Sequence, residues 1–265
     1  NWRPADPVMM YDAERWSYAA NQVQAVNKYV TGIHVGENDG WRIDRGHHMT
    51  DESALLRPEA LPTNLKQVSG SPFLITESTW VQPLGFQTEG PFLMGAYQAL
   101  TGVDTFYWFS ATDATWSLDP RMSWWTINGE NPTFKWSCSI PPLMGQFPAA
   151  ALAYRMGYLK QAPVVVHEER RLEDLWQRKI PIISEEGSFD PNRDQGAFAP
   201  TSSIKQEVDR LAFLTGPVQV VYGGDPAKNK VADLSPVIDR AGKKVKSLTG
   251  EIELDYGLGL CKVNA

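Results

Sequence analysis

Positive charge in excess is absent from this sequence, and so is any long apolar run. The formal net charge is -6 over 265 residues, which leaves no electrostatic footprint for nucleic acid or an anionic membrane surface. The apolar stretches "FPAAALAY" and "PVQVVY" are far too short to cross a bilayer. Cysteine is scarce as well: Cys138 and Cys261 have neither metal-site spacing nor the look of a disulfide framework. No Gly-x-Ser-x-Gly elbow occurs, so a serine hydrolase has little support. "GGDP" (223–226) reads as a turn, because no Lys-Ser/Thr follows it as a phosphate loop requires. "DRGHHM" (44–49) brings Asp44, His47 and His48 together, but adjacent histidines diverge and no third ligand is spaced to complete a zinc set. No metal and no cofactor is expected. Methionine is missing from the first position and no signal-type segment follows, so the natural N-terminus is expected to lie elsewhere.

What remains is an ordinary globular composition, 42% hydrophobic and 21% charged, with ten tryptophans. Trp2, Trp80, Trp116, Trp124, Trp125 and Trp136 lie in or beside stretches rich in Gly, Pro, Asn and Asp. A tryptophan is first of all a large core residue; one in a polar loop also offers a flat apolar face suited to a sugar ring.

Apolar spacing predicts a helix over 12–30 with Asp12 as its cap, then a strand in "TGIHVGEN" ending near His34 or Val35. "PFLITE" reads as a buried strand, 90–102 as a helix with Pro91 near its start and Gly102 at its end, and 103–110 as an aromatic strand. Residues 111–140 read as a long loop, and 147–159 as a further helix. Strand–helix alternation with long loops after the strands points to a parallel sheet of βα units. A doubly wound open sheet shares that pattern, but no glycine-rich phosphate turn follows any strand. After residue 160 short β-type segments take over, with "SIKQEVDRLAFL" a helix candidate among them.

The strand "PFLITE" ends on Glu77. A carboxylate there is either a solvated surface acid or a group held at the mouth of a site, where chemistry at an acetal carbon would use it. His34, ending the preceding expected strand, could hydrogen-bond a sugar hydroxyl or that carboxylate, although a lone histidine is more often structural.

The run "ITESTWVQPLGFQTEGPFLMGAYQALTGVDTFYWFS" resembles the seventh strand, helix and eighth strand of the clan A (β/α)8 glycoside hydrolases, most of all the β-galactosidase- and agarase-type members. The resemblance implies that Glu77 is the nucleophile and that Trp108 matches an aromatic common at the end of the eighth strand. It makes "VTGIHVGEN" the sixth strand and the opening Asn1 and Trp2 the tail of the fifth. By the same resemblance Asn1, Trp2, His34, Trp41, Trp80 and Trp108 line the sugar subsites. The implied fold is a partial (β/α)8 (TIM) barrel, strands five to eight, over residues 1–160, with a β-rich accessory domain over 161–265. The implied activity is retaining hydrolysis of a galactose-type oligo- or polysaccharide, in an extracellular or periplasmic setting.

The clan's acid/base glutamate has no counterpart here. Glu37, Asp39, Asp44, Glu89, Asp113 and Glu130 are the acids within reach in sequence, and none ends a strand across the barrel from Glu77. The expected partner is therefore the missing N-terminal half of the same barrel, and these residues alone are expected not to close one. A non-catalytic carbohydrate-binding or structural protein is the rival reading.

Overall fold

The structure, a computed structural model, describes residues 7–30, 34–35, 46–81, 84–111, 138, 140–186 and 204–265. Helix α1 (Pro7–Tyr18) leads into strand β1 (Gln24–Asn27). Strands β2 (His34–Val35) and β3 (His48–Met49) form a two-residue antiparallel pair. Strand β4 (Gln67–Val68) precedes β5 (Phe73–Ser78), and helix α2 (Glu89–Thr101) joins β5 to β6 (Thr105–Trp108). Strands β1, β5 and β6 make a parallel sheet in that order.

Two expectations change at β1. The predicted helix over 12–30 stops at Tyr18, and its second half turns and becomes a strand. The apolar spacing of Val23, Val26 and Tyr29 suits a helix, but Val26 and its neighbours gain a ladder with β5 and a covered face, and tertiary pairing overrides the local pattern. The strand expected to precede Glu77 in the sheet is thus Gln24–Asn27, not "TGIHVGEN". His34 and Val35 pair with Met49 and His48 instead.

The parallel sheet has one covered face. Phe73 and Ile75 pack there with Tyr11 of α1, Leu65, Val103, Val26 and Phe106. On the other face Ala25 and Tyr107 are exposed, and Leu74, Thr76 and Thr105 are half-buried. Among the described residues nothing pairs with the outer edge of β1 or of β6. Helix α2 ends at Gly102, whose φ of 70° gives the left-handed cap that returns its N–H to the Gln98 carbonyl.

Helices α3 (Pro141–Met144) and α4 (Phe147–Arg155) follow, and Gly95 of α2 lets Ala150 of α4 approach closely. Beyond residue 160, β7 (Val166–Arg170), the short helix α5 (Leu172–Trp176), β8 (Val218–Tyr222) and β9 (Lys230–Val231) lead to a second sheet of order β4-β8-β7-β9. The helix candidate in "SIKQEVDRLAFL" is a 3-10 turn, Arg210–Leu214, capped by Asp209. The last element is an antiparallel meander, β10 (Ile238–Asp239), β11 (Lys244–Lys246), β12 (Ile252–Asp255) and β13 (Leu260–Val263).

The segments before and after residue 160 share a sheet, through β4 against β8, and a core. Leu93, Met94, Tyr97 and Leu100 of α2 lie in one apolar cluster with Leu211, Leu214, Val245, Ile252 and Leu254. Six buried charges tie α1 to the second sheet: Asp12, Glu168 and Glu185 against Arg15, Lys66 and Arg170.

Candidate active site

Side chains at the carboxyl ends of parallel strands converge on one side of a sheet, where βα enzymes place their sites. The ladder here runs past the nominal strand ends. Lys28 N–H donates to the Glu77 carbonyl at 3.1 Å, Val30 N–H to Thr79 at 3.1 Å and Phe109 N–H to Ser78 at 2.9 Å. The register shifts between Val26 and Asn27 on β1 and between Ile75 and Ser78 on β5. Such irregularities re-aim side chains. Thr76 Oγ1 donates to Asn27 Oδ1 at 2.7 Å, and the Tyr29 hydroxyl donates to Glu77 Oε2 at 2.6 Å.

That last contact is at the short end of side-chain hydrogen bonds. Tyr29 is 6% exposed and packs with Val81 and Phe109, so its hydroxyl is fixed from behind. Glu77 is half-buried, and among the described residues Tyr29 is the one side chain bonded to its carboxylate. Ser78 Oγ, Thr79 Oγ1 and Trp80 Nε1, the next three polar side-chain groups, are buried with no partner among the described residues. Buried polar atoms are normally paired, so three together mark the strand end as unusual.

Lys28 lies between Asn27 and Tyr29 but points elsewhere. Its side chain is fully buried and donates from Nζ to the Asn64 carbonyl at 3.1 Å. Burial pushes its ammonium down to about 8, against the attraction of Glu186 and Glu185. Burying a cation costs several kcal/mol as an order of magnitude, so the chain leaving β1 is held by a strong local requirement.

Trp80 is 1% exposed and stacks on Trp108 with ring centroids 6.0 Å apart at 26°. Trp108 also meets Phe106 at 5.0 Å and the edge of Phe147 at 4.9 Å. The expected sugar platform at Trp80 is therefore a buried support: its indole faces Trp108 and the start of α2. Trp108 is half-buried. Gly90 makes the stack possible, since a Cβ there would lie 2.8 Å from the Trp80 ring and 3.1 Å from Trp108. Gly90→Ala is expected to lower the melting temperature by a few degrees, the overpacking cost being about 1–3 kcal/mol. An unchanged melt would show that the indoles can slide apart freely.

The other sequence candidates are distributed as follows. His34 lies in β2, in the two-residue pair with β3. Asn1, Trp2 and Trp41 fall outside the described residues, as do Glu37, Asp39, Asp44, Asp113 and Glu130 and the loop tryptophans 116, 124, 125 and 136. Glu89 is engaged structurally: Ser53 Oγ and the Ala54 N–H donate to its two oxygens. Burial raises its carboxyl above the ordinary value, while the hydrogen bonds from Ser53, Ala54 and Leu55 oppose the rise. Among the described residues no group of three His, Cys, Asp or Glu is placed to hold a metal ion.

Asn27, Tyr29 and Thr76 were not among the sequence candidates. The signal for them was the alternation in "QAVNKYV", which a strand reading would have placed beside "PFLITE". The chain matches no family model, no curated protein and no solved structure.

Proposed function

We propose that the chain is part of a retaining glycoside hydrolase acting on β-linkages of a galactose-type oligo- or polysaccharide, with Glu77 as nucleophile. The observation that carries this reading is the Tyr29–Glu77 hydrogen bond at the carboxyl end of the middle strand of a parallel sheet. Tyr29 holds Oε2, which leaves Oε1 to attack the anomeric carbon. In the first step the C1–Oε1 bond forms as the glycosidic C1–O bond breaks, and the departing oxygen takes a proton from a second carboxylic acid. In the second step that group, now a carboxylate, removes a proton from water as water displaces Glu77 from C1.

The second acid is proposed to come from further strands of the same barrel. Parallel sheets are ordinarily covered on both faces and rarely expose long edges. Here the outer edges of β1 and β6 are unpaired among the described residues, and Tyr107 is 53% exposed on the open face. Strands added at those edges would close the sheet and could bring an acid to about 5–5.5 Å from Glu77.

Trapping tests Glu77 without depending on that acid. A 2,4-dinitrophenyl 2-deoxy-2-fluoro-β-galactoside carries a leaving group that departs unprotonated, and its fluorine slows breakdown of the ester. Peptide mass spectrometry is expected to find the fluorosugar on the peptide containing Glu77. Sugar binding with no adduct would move the chain to the non-catalytic carbohydrate-binding alternative.

A further inference from the structure

A cavity of about 320 Å³ opens between the start of α2 and the β12–β13 hairpin. Its size falls at the lower end of ordinary ligand pockets. Phe92 on α2 and Leu260 on β13 line it and remain 40% and 44% exposed. The hairpin wall is seated: a Cβ on Gly259 would lie 3.3 Å from Leu56.

Three polar side chains, Thr88, Glu89 and Gln146, also line the cavity. Those of Thr88 and Gln146 make no hydrogen bond among the described residues. Glu89 is fixed by Ser53, Ala54 and Leu55, yet three donors leave its two carboxylate oxygens one acceptor position to spare. An aromatic face with a hydroxyl, an amide and a carboxylate around it is the composition that recognises a sugar ring: apolar C–H face on the ring, hydroxyls on the rim. Among the described residues no Lys, Arg or His lines the cavity, so an anionic or sulfated sugar finds no cationic partner among them. Gln146 is followed directly by Phe147, whose ring meets Trp108 at 4.9 Å.

We infer that this cavity is a second carbohydrate-binding site, taking an uncharged sugar ring of the polysaccharide. The identity of the ligand rests on the glycosidase reading of Glu77; the site itself rests on its own lining.

The test uses the full chain carrying Glu77→Gln, titrated with β-1,4-galactotetraose by calorimetry and by NMR of the Gln146 side-chain amide. Saturable shifts of that amide are expected, with Phe92→Ala weakening the binding they report at least tenfold. Both side chains are accessible, so Phe92→Ala and Gln146→Ala should leave the melting temperature near its starting value. A sulfated galactan tetrasaccharide should leave the amide unmoved. An amide that does not respond to the neutral sugar, or an affinity indifferent to Phe92→Ala, overturns the inference and makes the cavity a packing gap. Saturable shifts at Gln146 together with persistent hydrolysis by Glu77→Gln would keep this site while removing Glu77 from the chemistry. Loss of hydrolysis with a silent Gln146 amide would do the reverse.

Discussion

In the full-length enzyme Glu77→Gln is expected to lower turnover of a β-galactoside by roughly a factor of 10⁴ or more, about 5 kcal/mol in the transition state, with little change in folding. The amide keeps the size of the carboxylate and can still meet the Tyr29 hydroxyl. What it cannot do is form the glycosyl ester, so the loss falls on kcat rather than on binding. A half-buried acid with a merely structural role would respond differently, since removing its charge beside a neutral phenol would change stability by about 1 kcal/mol and leave turnover intact. Tyr29→Phe separates the two roles. The phenol touches the nucleophile through one 2.6 Å hydrogen bond, so its loss is expected to reduce turnover about tenfold to a hundredfold. Azide added to Glu77→Gln offers no rescue there, whereas Glu77→Ala leaves space for it to act as an external nucleophile. In the full-length enzyme, turnover by Glu77→Gln at the unsubstituted level, measured with a natural oligosaccharide and after mass-spectrometric exclusion of deamidation, removes Glu77 from the reaction.

The strand bearing Glu77 was legible because its apolar run is short, β-branched and bounded by Pro72 and Trp80. The helix after it was legible because Pro91 and Gly102 punctuate it where a helix tolerates proline and needs a left-handed residue. The helix at 147–155 showed itself in the same way, through Pro148 in its first turn. Strand β1 was hidden by continuity. Its Val26 and Tyr29 fall on the apolar stripe of α1, and only pairing with Phe73–Glu77 distinguishes the two conformations. With β1 hidden, Tyr29 could not be placed beside Glu77, although their contact spans 48 positions. Trp80 was misjudged for a physical reason as well. A tryptophan flanked by polar residues reads as a loop residue, but Gly90 supplies the one gap in α2 into which its indole fits. The joining of the two halves was beyond the reach of local pattern. Strand β4 is two residues long, and its partner β8 follows about 150 positions later.

Asp12→Ala is expected to destabilise the chain by about 3–5 kcal/mol, the range for removing one partner from a buried ionic network. Asp12 is buried between three cations: it accepts from Lys66 Nζ at 2.9 Å and Arg15 at 2.8 Å, and Arg170 Nε lies 3.4 Å away. Tyr222 adds a hydroxyl at 3.2 Å. Lys66 also meets Glu168 at 2.6 Å, and Arg15 meets Glu185, whose Oε1 takes the Lys66 N–H at 2.7 Å. Three positive and three negative groups thus balance, and removing Asp12 leaves an excess positive charge with Lys66 fully enclosed. Burial by itself would raise the Asp12 carboxyl, but Lys66, Arg15 and Arg170 outweigh it and hold the group below its ordinary value. With the folded value below the unfolded one, Asp12 stabilises the fold above the ordinary carboxylate range, and that contribution is lost as pH falls through the folded value. Urea denaturation at pH 7 should therefore show the full deficit in Asp12→Ala, and the gap from the unchanged chain should narrow as the pH is taken below about 4. Asp12→Asn keeps the shape and loses only the charge, so most of the deficit should persist in it. If both variants denature like the unchanged chain at pH 7, the network contributes no net stability and the α1–β8 contact is held by apolar packing alone. Pairing Asp12→Ala with Lys66→Met is expected to recover part of the loss, because it takes out the cation left without its partner.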